Sequence, residues 1–197
     1  MAGAAVGFRV KSGWAAAVVL SGPVSSPLAL HARRIDLSDP AIPATRQPYH
    51  AVDPAQGELE DDESRIKQRV NVVRRVTTES LEKLLADFRT NAWTPRRVGI
   101  VAGSLIDPAT IRQPHIRAHA MEGRLFRTVL EDVVRARGLS CFVLGEKTAL
   151  TAAVKVIHRR KDAIRRTLGK LGRHVDGPWR TVEKMAALAA WVAVAET

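Results

Sequence analysis

Two apolar runs near the start of the chain, Val6 to Val10 and Trp14 to Leu20, are separated only by Lys11-Ser12-Gly13. That spacing allows a tight turn and little else, so the runs pair as antiparallel strands. The second run is apolar at every position, which predicts a strand buried on both faces. Ser21-Gly22-Pro23 and Ser25-Ser26-Pro27 then punctuate the chain, and Leu28 to Leu37 reads as a third strand. The opening is a three-stranded antiparallel meander.

The pattern then changes. Residues 38–57 hold Pro40, Pro43, Pro48 and Pro54 and predict a long loop carrying Gln47-Pro48-Tyr49-His50. One aromatic anchors such a loop. Glu58 to Arg89 predicts a long helix, acidic in its first turns, with Ile66, Val70, Val73, Leu81, Leu84, Leu85 and Phe88 along one stripe and a kink at Val76-Thr77-Thr78. A strand follows at Arg97 to Ala102, closed by Gly103-Ser104. A helix runs from Pro114 to Arg137, and a fifth strand from Leu139 to Leu144. Gly145-Glu146-Lys147-Thr148 leads into a basic helix reaching Leu171, and a last helix follows Gly177-Pro178. The order is β-β-β-α-β-α-β-α with an extra C-terminal helix: an α/β domain of about five strands in a mixed sheet, the later strands parallel. The 197 residues fit a single domain spanning 1–197.

Charge is distributed unevenly. Residues 1–90 carry 12 basic and 11 acidic side chains, whereas residues 91–197 carry 19 and 9. Most of the excess lies between Lys155 and Arg173. Arg159, Arg166, Lys170 and Arg173 follow helical spacing and form a cationic stripe, which points to nucleic acid or another polyanion as partner; a solvated basic helix is the alternative. Arg9 and Lys11 share one face of the first strand. With Lys147 they form an anion site, or else a pair of surface cations at a sheet edge or hairpin. No apolar run approaches the roughly 20 residues that span a bilayer, and no signal peptide is evident. The single cysteine, Cys141, lies in a strand, fits a reducing compartment and reads as core packing. A cytoplasmic location is expected. Oligomeric state is not legible, although the alanine-rich C-terminal helix with Trp191 offers a dimer contact.

His115, His119 and Glu122 stand at i, i+4 and i+7 on one helix face, and the stripe continues through Phe126, Val129 and Val133. Polar groups on a core-facing stripe need partners. A metal, a ligand or neighbouring side chains would serve. In an open α/β sheet, ligands gather at the carboxyl ends of parallel strands. Gly103-Ser104, Gly145-Glu146-Lys147 and the start of the last helix, with Glu183 and Lys184, arrive there.

Gly7-Phe8-Arg9 followed by Gly13-Trp14-Ala15 is similar to the opening hairpin of the ribonuclease H-like superfamily, in its Holliday-junction-resolvase-like branch. Trp179 to Trp191 resembles the closing helix of that family, with Glu183 near the family's acidic position. The resemblance implies a nucleic-acid-acting fold whose nucleases hold Mg²⁺ with several carboxylates. Arg9 stands where the family's first aspartate would be, and Val98 to Ala102 has no glutamate. Two readings follow. One is a diverged polyanion- or nucleic-acid-binding domain without that nuclease mechanism. The other is a metal-dependent nuclease or phosphodiesterase with a relocated site: Glu122, Glu146 and Glu183 as ligands of Mg²⁺ or another divalent metal, His119 as ligand or general base, and Lys147 on the developing phosphate charge. The enzyme reading requires these residues to converge.

Overall fold

The computed structural model describes residues 4–52 and 58–196. Five strands form one sheet: β1 (Ala4–Lys11), β2 (Trp14–Ser21), β3 (Leu28–Asp36), β4 (Pro95–Ala102) and β5 (Ser140–Gly145). Their order across the sheet is β3-β2-β1-β4-β5. The β1–β2 and β2–β3 pairs are antiparallel, while β1–β4 and β4–β5 are parallel. Strand β1 is therefore central, hydrogen-bonded on both sides.

Alternation along the strands sorts two cores. Val6, Phe8 and Val10 of β1 and Ala15, Ala17 and Val19 of β2 point to one face. That face is covered by α1 (Glu63–Thr90) and α2 (Pro114–Ala136). Ala16, Val18 and Leu20 point to the other, covered by α3 (Glu146–Ile157), α4 (Lys161–Leu171) and α5 (Thr181–Ala195). Both faces are dry, which is why β2 is apolar throughout.

The α5 helix lies over the centre of the sheet and is buried nearly all round from Ala186 to Ala193. Its approach depends on glycine. Gly7 and Gly99 are register partners on β1 and β4. A Cβ on Gly7 would overlap the Ala186 carbonyl oxygen and the Ala190 amide nitrogen, and one on Gly99 would come within 2.5 Å of the Ala189 carbonyl oxygen. The small side chains of α5 and the two glycines let backbone pack on backbone.

The structure corrects several boundaries and placements. The long helix starts at Glu63, because the Asp62 side chain caps it by accepting from the Ser64 and Arg65 amides at 2.8 and 3.2 Å. It runs unbroken through Val76-Thr77-Thr78. The basic helix is two helices, since His158 adopts a left-handed conformation that ends α3. Trp191 is fully buried against its own chain and donates from its indole nitrogen to the Val24 carbonyl at 3.0 Å. It is thus unavailable as a dimer contact. Of the 38–57 loop, residues 53–57 lie outside the described residues; the rest is tied to the fold as described below. Among the described residues no helix is long and apolar enough to cross a membrane.

Candidate functional site

Arg9 occupies the carboxyl end of β1 on the α5 side of the sheet, opposite Val101 of β4. It is 2% exposed. This corrects the reading of Arg9 as a surface cation at a sheet edge: the parallel crossover places β4 against β1, so the opening strand becomes an interior one. One guanidinium nitrogen donates to Glu146 at 2.5 Å, and another donates to the Val10 carbonyl. Burial pushes the guanidinium pKa down, and the Glu146 carboxylate opposes that shift. Nε has no partner. Arg9 is therefore consumed by the fold and touches a ligand only if Glu146 releases it. Lys11, on the same face, sits half-buried at the hairpin end.

Glu146 opens α3 directly after β5, with its side chain 40% exposed. It stands at the rim of a cleft of about 470 Å³ between α3, α4 and α5. Lys147, Arg165 and Lys184 line this cleft together with apolar Leu150 and Met185. Three cations thus line the cleft at whose rim Glu146 is already neutralised by Arg9. Arg165 and Lys184 were not among the anion-binding residues expected from sequence. Their signal is weak there, because only the packing of α4 against α5 brings them together.

The cationic stripe does not survive as one helical face. Arg159 lies in the break before α4, where it donates to the Ser25 carbonyl at 2.6 Å and packs 5.7 Å from the Trp191 ring centre. Arg166 and Lys170 remain exposed on α4, and Arg173 follows in a short 3-10 turn. Glu183 accepts from the Arg180 amide at 2.8 Å and so caps its own helix. Trp179 donates to the Leu168 carbonyl at 2.7 Å, a helix-packing role.

A second constellation lies on the opposite face of the sheet, where α2 packs. Glu122 is completely buried. One carboxylate oxygen accepts from His50 Nδ1 at 2.7 Å, and the other lies 3.3 Å from His119 Nδ1. His119 Nε2 faces His115 Nε2 at 3.1 Å. Sequence spacing places three of these four residues on one stripe. It misses His50, which arrives from the loop before α1. That segment is held by the buried Arg69, which donates to the Pro48 and His50 carbonyls at 3.1 and 2.9 Å and to Glu60 at 2.5 Å. Tyr49 packs beside it, its hydroxyl pKa raised by burial and by Glu122. The aromatic anchor in the loop was the only signal that could have led to His50.

The expected convergence of Glu122, Glu146 and Glu183 does not occur. Glu122 and His119 belong to the layer of α1 and α2, whereas Glu146 and Glu183 belong to that of α3 and α5. The sheet stands between them.

No protein-family model and no curated protein matches this sequence. Solved structures do. Thermus thermophilus RuvC superposes with a TM-score of 0.53 at 15% identity, covering 96% of this chain and 92% of that one. RuvC in complex with a Holliday junction substrate gives 0.53 and 15%, covering 96% and 91%. The chain has a ribonuclease H-like fold. The yeast mitochondrial Holliday junction resolvase is also similar, at 10% identity and a TM-score of 0.47 over 97% of this chain and 78% of that one.

A ribonuclease H-like nuclease would hold Mg²⁺ at the carboxyl ends of β1 and β4. The residues there do not fit such an ion. Mg²⁺ needs hard oxygen ligands in octahedral array. Position 9 supplies a guanidinium, the end of β4 supplies Gly103 and Ser104, and Glu146 is engaged by Arg9. Ser104 Oγ accepts from the Ile106 amide at 3.2 Å. Among the described residues, the His, Cys, Asp and Glu side chains grouped closely enough to hold a metal are His50, His115 and His119, on the other face.

Proposed function

We propose that this protein binds nucleic acid as a polyanion through the cleft between α3, α4 and α5, without the metal-dependent hydrolysis of ribonuclease H-like nucleases. The observation that carries the reading is an arginine at the end of β1, paired with Glu146 at the rim of a cleft that Lys147, Arg165 and Lys184 line. Fixed cations neutralise phosphates and release counterions, which yields affinity without sequence readout. Arg166, Lys170 and Arg173 extend the positive surface beyond the cleft, while Arg9 and Lys11 contribute to its field from within. The likeness to RuvC, solved with a Holliday junction, supports the partner class.

Fluorescence anisotropy with single-stranded, duplex and four-way-junction DNA and with RNA tests the proposal. Contact with about four phosphates predicts a loss of roughly 10²-fold in affinity between 50 and 200 mM salt. EDTA should leave binding unchanged, and Arg165→Glu with Lys184→Glu should abolish it. Absence of binding at low salt would sink the reading.

A further inference from the structure

We propose that His50, His115 and His119 form a binding site for a zinc-class divalent ion, with Glu122 holding two of the imidazoles in place. The site is independent of the cleft, because it lies across the sheet on the α2 layer and uses none of the cleft residues.

The hydrogen bonds to Glu122 fix which nitrogens of His50 and His119 are available, while His115 donates from Nε2 to His119 until an ion moves that proton to its Nδ1. An ionised Glu122 can only accept, so His50 and His119 each donate from Nδ1. Each neutral ring then carries a lone pair on Nε2. His119 Nε2 points at His115 Nε2, 3.1 Å away. His50 Nε2 is buried and has no hydrogen-bond partner. An orphaned buried lone pair costs free energy unless something electron-poor meets it. The three rings are gathered with centroids 4.5 to 5.1 Å apart, and one nitrogen from each lies within 4.8 Å of the others. Imidazole nitrogens about 2.05 Å from a tetrahedral zinc stand roughly 3.3 Å apart. The His115–His119 separation already matches that spacing, and the His50 ligand nitrogen lies within 4.8 Å of both.

Glu122 is not a ligand in this arrangement, which changes the role expected for it from sequence. Both of its oxygens are engaged by Nδ1 atoms, the position of the carboxylate behind a metal-bound histidine. Such a carboxylate sets the tautomer and makes the ring a better donor. Three neutral nitrogens favour Zn²⁺, Cu²⁺ or Ni²⁺ over the hard ions Mg²⁺ and Ca²⁺. His115 and His119 are 44% and 46% exposed, so the fourth position opens to solvent and takes a water. The exposed Glu58 carboxylate, 3.6 Å from His115 Nδ1, adds negative charge at the rim. The ion would join the loop before α1 to α2, while Arg69 ties the same loop to α1.

The experiment uses the full chain without a histidine tag, stripped with EDTA and dialysed. Co²⁺ titration followed by visible absorption, and Zn²⁺ competition against it, should report one ion per chain in a tetrahedral field. Saturating Zn²⁺ should raise the thermal midpoint by about 5–10 °C. His50→Ala and His119→Ala should each weaken binding at least 100-fold, and Glu122→Gln by 10- to 100-fold. His174→Ala, outside the cluster, should change nothing. Absence of a tetrahedral Co²⁺ spectrum in the wild-type chain overturns the proposal, and so does binding that survives loss of His50 and His119. The wild-type spectrum decides the question even if a variant fails to fold.

Discussion

Replacing Glu146 by Gln isolates the charge of the Arg9–Glu146 pair while keeping its shape. Arg9 is 2% exposed, and its carboxylate partner sits at 2.5 Å. Breaking a fully buried ion pair by neutralising one member costs about 3–5 kcal/mol, because the remaining charge stays buried. Glu146 is 40% exposed, so water already screens part of the attraction. The expected loss is therefore about 2 kcal/mol. In a domain of this size that lowers the thermal midpoint by about 4–8 °C. The assay is urea unfolding followed by far-ultraviolet circular dichroism, on wild type, Glu146→Gln, Arg9→Met and the double variant. An apolar side chain at position 9 removes the buried charge, so the double variant should recover most of the stability lost by Glu146→Gln. The cycle should return a coupling of about 1 kcal/mol or more. A Glu146→Gln protein within about 0.5 kcal/mol of wild type would refute the reasoning, since surface substitutions alone vary that much.

Three further outcomes follow from the same structure. Gly7→Ala should destabilise by about 3 kcal/mol, because the atoms that its Cβ meets are α5 backbone and cannot swing aside; Gly123→Ala, with nothing within 4 Å on exposed α2, should stabilise by about 0.5–1 kcal/mol, and chemical denaturation reads both. Burial first, then Glu131, pushes the Cys141 thiol up to about 12, so alkylation by iodoacetamide should be slow in the folded protein at neutral pH and fast in urea. Burial, with Arg33 acting in the same sense and Asp87 opposing, lowers the His31 pKa below 6.5; the unfolded chain then binds the proton more readily, so the stability from neutral His31 is present above that value and is lost as pH falls below it, and His31→Gln should flatten unfolding curves compared across that range.

Strand β2 was legible because burial on both faces leaves no polar position, as Trp14 to Leu20 shows. The parallel pairing of β1 with β4 was legible only as element order. Its consequence for Arg9 was not, since an opening hairpin strand is at an edge until a crossover covers it. The break at His158 carries neither proline nor glycine, so local preference could not reveal it. His115, His119 and Glu122 were readable because helical spacing is a local property. His50 stands 65 residues before His115 in a proline-rich loop, and the carbonyls gripped by Arg69 together with backbone pairing to residues 58–60 bring it back. Gly7 and Gly99 face α5 through contacts between residues about 90 and more positions apart, which no local pattern encodes.

The arginine at the end of β1 has a consequence for the kind of chemistry the proposed cleft supports. Where carboxylates hold a dication, the metal both attracts a phosphate and polarises the attacking and leaving oxygens. Fixed side-chain cations retain the first effect and lose the second. Arg9 would repel a dication, and its pairing with Glu146 removes the nearest carboxylate that could recruit one. What remains in the cleft is Lys147, Arg165 and Lys184, point charges on exposed or half-exposed stems. They can hold a phosphodiester by charge alone. On the proposed reading, one acid at position 9 would therefore not supply the carboxylate cluster that a dication needs. Arg9→Asp would place a carboxylate beside Glu146, and the two like charges would need a cation that the end of β4, with Gly103 and Ser104, gives no further ligands to hold.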